Sequence, residues 1–290
     1  MVAFEGGASR YHDSTVAKDV LACSVRGCGR PLRRTAGAFV CDKGHSYDIA
    51  RSGYVNLLQP QDRRSPAAGD TAAALEARAR LLSAGIGRTL VNAVIRPTGR
   101  LALRAGAAVL DLGAGTGDVL GELAAHRPLS PIGLDLSSAA MTMAARRFPA
   151  LTWVVANADR RLPILDCSVE LVLSVNARRN PAECARVLTR PGYLLAVVPA
   201  ADDLIELREQ VQGRAGVRDR TPSLADAHAA DFTLLEQSTV RERLTLTRDQ
   251  LLDVLRGTYR GARTSAAPRV DALTTLDVTF ASELRLFRTR

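Results

Sequence analysis

The stretch Ala107–Asp118, A-A-V-L-D-L-G-A-G-T-G-D, constrains the fold of this chain more than any other segment. An apolar strand runs into glycines at 113, 115 and 117, and Val119–Ala124 continues as a helix. Strand, glycine turn and helix in that order make a nucleotide-binding corner. The glycines permit the tight turn and let a ligand approach the backbone where any β-carbon would stand in the way. The spacing is G-x-G-x-G and not the G-x-G-x-x-G of dinucleotide sites. Asp111, just before the glycines, argues further against a dinucleotide, because a carboxylate there would repel a pyrophosphate.

Downstream the pattern repeats. Pro131–Leu136 is a second strand carrying Asp135, placed to accept protons from two ribose hydroxyls, with Leu136 beside it. A helix is expected over residues 138–148, then a third strand, 151–156, leading into Asn157 and Asp159, where an adenine edge would be read. A fourth strand spans 169–175 and, after a helix, a fifth spans 192–199. Strands alternating with helices predict an α/β fold with a doubly wound, Rossmann-like parallel sheet. Methyltransferases carry an acidic residue before such glycines, near the methionine end of S-adenosylmethionine. Asp111, Gly113, Gly115, Gly117, Asp135, Leu136, Asn157 and Asp159 are therefore the candidate contacts of that cofactor in a class I methyltransferase domain.

Cys23, Cys28, Cys41 and His45 are spaced C-x4-C-x12-C-x3-H, with Gly27 and Gly29 flanking the second cysteine. Two short turns, each offering a ligand pair across a small hairpin, suit the tetrahedral preference of Zn2+. Disulfides would leave His45 without a part and do not persist in a reducing compartment. Four protein ligands close such a site against water, so a structural role is expected. Residues 30–34 and 38–40 read as a hairpin continued by 46–50, and a unit this small needs metal ligation for much of its stability. After Tyr54–Leu58 and a polar loop through Gln59–Pro66, the run Ala72–Ser83 predicts a helix with Asp70 or Thr71 as its N-cap. The expected division is a zinc-ribbon-like module over 1–58, with residues 1–20 a candidate unstructured lead. A linker with helices over 59–105 and the methyltransferase domain over 106–290 follow, and the two cores are expected to be separate.

The charge is uneven. Of 39 Lys and Arg, 16 precede Ala105, against 8 of the 30 Asp and Glu, so that segment carries +8 of the net +9. A basic segment beside a cofactor corner fits a phosphate-rich partner. Arg33, Arg34, Arg63 and Arg64, on the hairpin and the loop after it, are the candidate RNA contacts. No apolar run approaches the roughly 18–20 residues of a bilayer span, so a cytoplasmic protein without a membrane partner is expected.

Zinc module and methyltransferase corner in this order, joined by G-Y-V-N-L-L at 53–58 and by Gly69-Asp70-Thr71 with Ala77-Arg78, resemble the RlmA-type 23S rRNA (guanine-N1)-methyltransferases. The likeness covers roughly Cys23–Arg290. It implies a dimeric enzyme that methylates a guanine in a hairpin of 23S rRNA near the peptide exit tunnel, sometimes conferring macrolide resistance. Two features depart. The family usually spaces its first cysteines C-x2-C, and it carries an aromatic-Ala-Pro run at the end of the fourth strand, where this chain has Asn176-Ala177-Arg178-Arg179. Asn176 is the candidate catalytic residue beside the transferred methyl group. With only 4% aromatic residues, the chain offers Trp153, Tyr54 and Tyr193 to stack on a flipped guanine. The same scaffold acting on a small molecule of secondary metabolism, and a non-catalytic RNA-binding module, are the alternatives. His126, His228, Cys167 and Cys184 have no partner spacing and mark neither a base nor a nucleophile.

Overall fold

A computed structural model describes residues 20–62, 69–212, 221–257, 270 and 273–290. The candidate lead 1–19 and the RNA candidates Arg63 and Arg64 lie outside the described residues. The ribbon is a small antiparallel sheet of β1 (Arg33–Arg34), β2 (Ala38–Val40) and β3 (Ser46–Asp48) in that order. Thr35 closes its first turn, its hydroxyl donating to the Ala38 carbonyl and accepting from the Ala38 amide.

Among the described residues the larger sheet has eight strands. Along the chain come β4 (Tyr54–Asn56), α1 (Ala72–Ser83), α2 (Arg88–Gly99), β5 (Ala108–Leu112), α3 (Asp118–His126), β6 (Ser130–Asp135) and α4 (Ser138–Arg147). These are followed by β7 (Thr152–Val155), β8 (Val169–Val175), α5 (Pro181–Val187), β9 (Leu188–Pro199), α6 (Ile205–Gln212) and α7 (Thr221–His228). The chain ends with β10 (Phe232–Thr247), α8 (Arg248–Gly257) and β11 (Thr275–Thr289). The spatial order is β10-β11-β9-β8-β5-β6-β7-β4. The chain winds outward from β5 through β6 to β7, then crosses back to β8 and β9. The switch point therefore falls between β5 and β8, where open α/β sheets bind their ligands.

The sheet is mixed and not wholly parallel. β11 pairs antiparallel with β9, and β10 antiparallel with β11, a long pairing that alternation of strands and helices did not reveal. The helix at 72–83 is as expected, with Thr71 as its N-cap accepting from the Ala74 amide.

Two expectations about the N-terminal unit are corrected. β4, assigned to the zinc module, pairs parallel with β7 and is an edge strand of the large sheet. The two cores are not separate. Leu21, Leu32, Phe39 and Cys41 of the ribbon belong to the same buried cluster as Leu57, Leu110, Ile164 and Val172 of the large domain. Backbone bonds stitch the junction, Ala22 donating to the Pro163 carbonyl and Leu165 to that of Val20. A ribbon too small for its own core buries its apolar face against a neighbour that has one.

Candidate active site and metal centre

Cys23, Cys28, Cys41 and His45 converge as expected, their ligand atoms all within 4.8 Å of one another. Cys23 Sγ lies 3.3 Å and Cys41 Sγ 3.4 Å from His45 Nδ1, and the Cys28 and Cys41 sulfurs are 3.9 Å apart. Tetrahedral Zn2+ with bonds of about 2.0–2.3 Å sets its ligand atoms about 3.5–3.8 Å apart, so this donor set fits zinc. The longer C-x4-C turn is absorbed without loss of the site, Cys28 donating its amide to the Val25 carbonyl. A feature the spacing did not reveal is Tyr47. Its hydroxyl sits 3.2 Å from Cys23 Sγ and takes the Ser24 and Val25 amides, tying the first ligand to β3.

At the switch point the carboxyl ends of β5, β6, β7 and β8 bring the predicted cofactor residues to one edge. Asp111 is buried at 3% exposure, and its Oδ1 has no hydrogen-bond partner among the described residues. Burial, with the neighbouring Asp135 charge adding to it, pushes its carboxyl up to about 8. An orphaned buried carboxylate oxygen at a ligand cleft calls for a donor, and a cationic one such as the methionine ammonium would also restore its charge. Asp135 takes the Gly115 amide at 3.0 Å on one oxygen and the Ser137 amide at 2.8 Å on the other. Each oxygen keeps a lone pair for a ribose hydroxyl. Burial raises this carboxyl too, and the two amide donors pull it back. Gly113 sits at φ +71°, and a β-carbon there would run into Ala177, so the glycine turn and the loop after β8 are in direct contact. Gly117, at φ +79°, caps α3, and Leu136 lies partly exposed after β6.

Asn157 is placed at this edge but its side chain is engaged in bracing. It donates to the Asp62 carbonyl at 2.8 Å and accepts from the Asp159 amide at 2.9 Å. Asp159 is paired with Arg178 at 3.2 Å. Asn176 is exposed, with φ +53°, and its amide donates to Val197. The positive φ turns the chain back toward Gly113. Arg179 is folded inward, reaching Ser174, the Ala177 carbonyl and His228.

Trp153 is corrected from stacking candidate to core residue. It is 1% exposed, its ring fills the space beside Gly117 and Gly133, and its indole donates to the Phe148 carbonyl. Tyr54 and Tyr193 pack against the same core. Burial pushes the Cys184 thiol up to about 12, which removes it as a nucleophile. The loop before α1 was missed as a neighbour of the cofactor edge. Gly69 packs on Ser137, whose hydroxyl donates to the Asp70 carbonyl, and Asp70 pairs with Arg78.

Paired carboxylates on β5 and β6 at the switch point, with a glycine turn between them, define an S-adenosylmethionine-dependent methyltransferase, here joined to a zinc ribbon. Comparison with known proteins agrees. The N-terminal zinc-ribbon family of RlmA matches residues 22–66, and a methyltransferase domain family matches residues 109–192. The Streptomyces fradiae protein named "23S rRNA (guanine(748)-N(1))-methyltransferase" is 38% identical over 228 residues, covering 77% of this chain and 80% of its own. A Micromonospora griseorubida protein named "Putative 23S rRNA (guanine-N(1)-)-methyltransferase" is 36% identical over 254 residues, covering 81% of this chain and 84% of its own. Among solved structures, the MccD protein superposes with a TM-score of 0.50 at 18% identity over 71% of this chain and 98% of its own, a likeness of fold. The chain belongs to the RlmA-type family of methyltransferases, and its cofactors are S-adenosylmethionine and zinc.

Proposed function

We propose that this enzyme methylates N1 of a guanine in 23S rRNA. The observation that carries the reading is the position of the ribbon. Its docking strand at 21–22 lies against residues 163–164, on the segment that leaves the C-terminal end of β7, beside the cofactor edge. The ribbon presents exposed Arg33 and Arg34, and exposed Arg160, Arg161 and Arg178 rim that edge. Arginines around a methyl-transfer site suit a phosphate backbone that flanks a single extruded base.

S-adenosylmethionine, when bound, supplies a methyl group activated by its sulfonium. The chain's own part is alignment in a dry site. Asp135 holds ribose hydroxyls, Asp111 answers a cationic donor, and the 176–178 loop lies against the glycine turn, with the Asn176 side chain exposed to meet a base edge. The proton leaving guanine N1 passes to water or to Asp159, the carboxylate that Arg178 holds at this edge.

The test is incubation of the protein with labelled S-adenosylmethionine and rRNA lacking the modification. Methyl at N1 blocks the Watson–Crick edge, so reverse transcription is expected to stop one nucleotide before the target. Label that enters a small metabolite and not RNA would sink the rRNA reading. That second reading is favoured by one observation, that Trp153 is buried in the core and Tyr54 and Tyr193 are partly buried against it. We place the enzyme in the cytoplasm with its ribosomal substrate, and no helix among the described residues is long and apolar enough to cross a membrane. The implied homodimer is open to light scattering, and the implied resistance to macrolide susceptibility of a host expressing the enzyme.

A further inference from the structure

Twenty-nine residues beyond the end of β9, the chain places a histidine that reaches back to the loop after β8. His228, at the end of α7, is 2% exposed, and its ring stacks on Phe287 of β11 at 5.1 Å and 19°. Phe232 closes the cluster at 5.9 Å. Nδ1 lies 2.7 Å from the Leu224 carbonyl, an acceptor, so that nitrogen carries the proton. Nε2 is then the acceptor for the Arg179 Nε–H at 3.3 Å. The same guanidinium donates to Ser174 Oγ and to the Ala177 carbonyl, and Ala177 is the residue lying against Gly113. His228 thus anchors an arginine around which residues 174–179 are wrapped, three residues from the candidate catalytic Asn176.

We propose that His228 is a positioning residue for methyl transfer, holding the 176–179 loop against the glycine turn through Arg179 only while its imidazole is neutral. A second proton would sit on Nε2, facing a guanidinium that cannot give up its own. The charged groups around the ring reinforce this. Burial opposes protonation most, Arg179 and Arg285 of β11 add to it, and together they outweigh the Leu224 carbonyl and Asp231 before β10, which favour it, so the imidazole is held below its ordinary range. The contact that orders the loop is therefore kept through the ordinary imidazole range and is lost as pH falls below it.

The inference rests on the enzyme being a methyltransferase, and the substrate for the test is whichever one the unaltered enzyme methylates. Single-turnover methyl transfer is measured from pH ~5 to ~8 for the full-length enzyme, His228→Gln and His228→Phe, with S-adenosylmethionine affinity measured alongside. Gln can accept from Arg179 and donate to Leu224 without titrating; Phe keeps the stack and removes the acceptor. The unaltered enzyme should lose about tenfold in rate on the acid limb, and Gln should remove that inflection while restoring rate relative to Phe. Phe should lower the rate about tenfold or more at every pH with cofactor affinity held within about threefold. An unaltered acid inflection in His228→Gln overturns the proposal, as does a His228→Phe enzyme of normal rate. If the Phe variant does not fold, the Gln profile decides alone. An unaltered enzyme that methylates no RNA overturns the substrate reading instead.

Discussion

In β5 every side chain is buried, whereas β1, β2 and β3 of the ribbon together bury only Phe39. The large sheet is ordered by apolar surface removed from water on both faces. The ribbon has no such surface to spend and is ordered by four ligands and by docking its one apolar side onto the larger core. The difference teaches that metal and neighbour together replace a core here, so the ribbon is tied energetically to the domain beside it.

The sharpest way to break that comparison is Cys41→Ser. Zinc content should fall from about one per chain to near zero, and the ribbon should lose its structure. Because Leu21, Leu32 and Phe39 share a cluster with Ile164 and Val172, the large domain should lose roughly 3–5 kcal/mol in urea unfolding. Unchanged stability of the large domain would mean that the cores act independently after all.

Asp135→Ala addresses the other region. Loss of the acceptor for two ribose hydroxyls should weaken S-adenosylmethionine binding by roughly 2–4 kcal/mol by calorimetry, with zinc content untouched. Normal affinity in this variant removes Asp135 from the site.

The buried carboxylate of Asp111 makes stability of the cofactor-free enzyme depend on pH. The folded protein keeps that proton up to about 8, while the unfolded chain releases it at the ordinary carboxylate value. A raised folded value gives stability that is full below the unfolded value and lost as pH rises through about 8. Asp111→Asn should flatten the decline and gain roughly 1–3 kcal/mol at the alkaline end, while binding the cofactor worse. Melting temperatures across pH check both signs, and parallel curves for variant and parent would refute the assignment.

The smallest effect is expected on the ribbon's exposed face. Arg33→Gln with Arg34→Gln should weaken RNA binding about tenfold and flatten the salt slope by about one to two units, sparing cofactor affinity. A salt response that is flat in the parent protein counts against RNA as the partner.

The sequence by itself determined the features that depend on local spacing. Ligands at 23, 28, 41 and 45, the strand and glycine turn at 108–117, and a carboxylate at the end of the next strand each follow from a few adjacent residues. Backbone geometry over one turn is a local matter, and the motifs that impose it are legible without knowing the rest of the chain. Tertiary structure alone decided which side chains were already engaged. Asn157 looked free to read an adenine edge and is bound to Asp62; Trp153 looked free to stack and fills the core; Arg179 is held by His228, forty-nine residues on. It also joined the ribbon's apolar side to the large core and gave β4 to the large sheet. Hydrogen-bond partners and buried neighbours are set by contacts between distant segments, and one sequence carries no spacing signal for those.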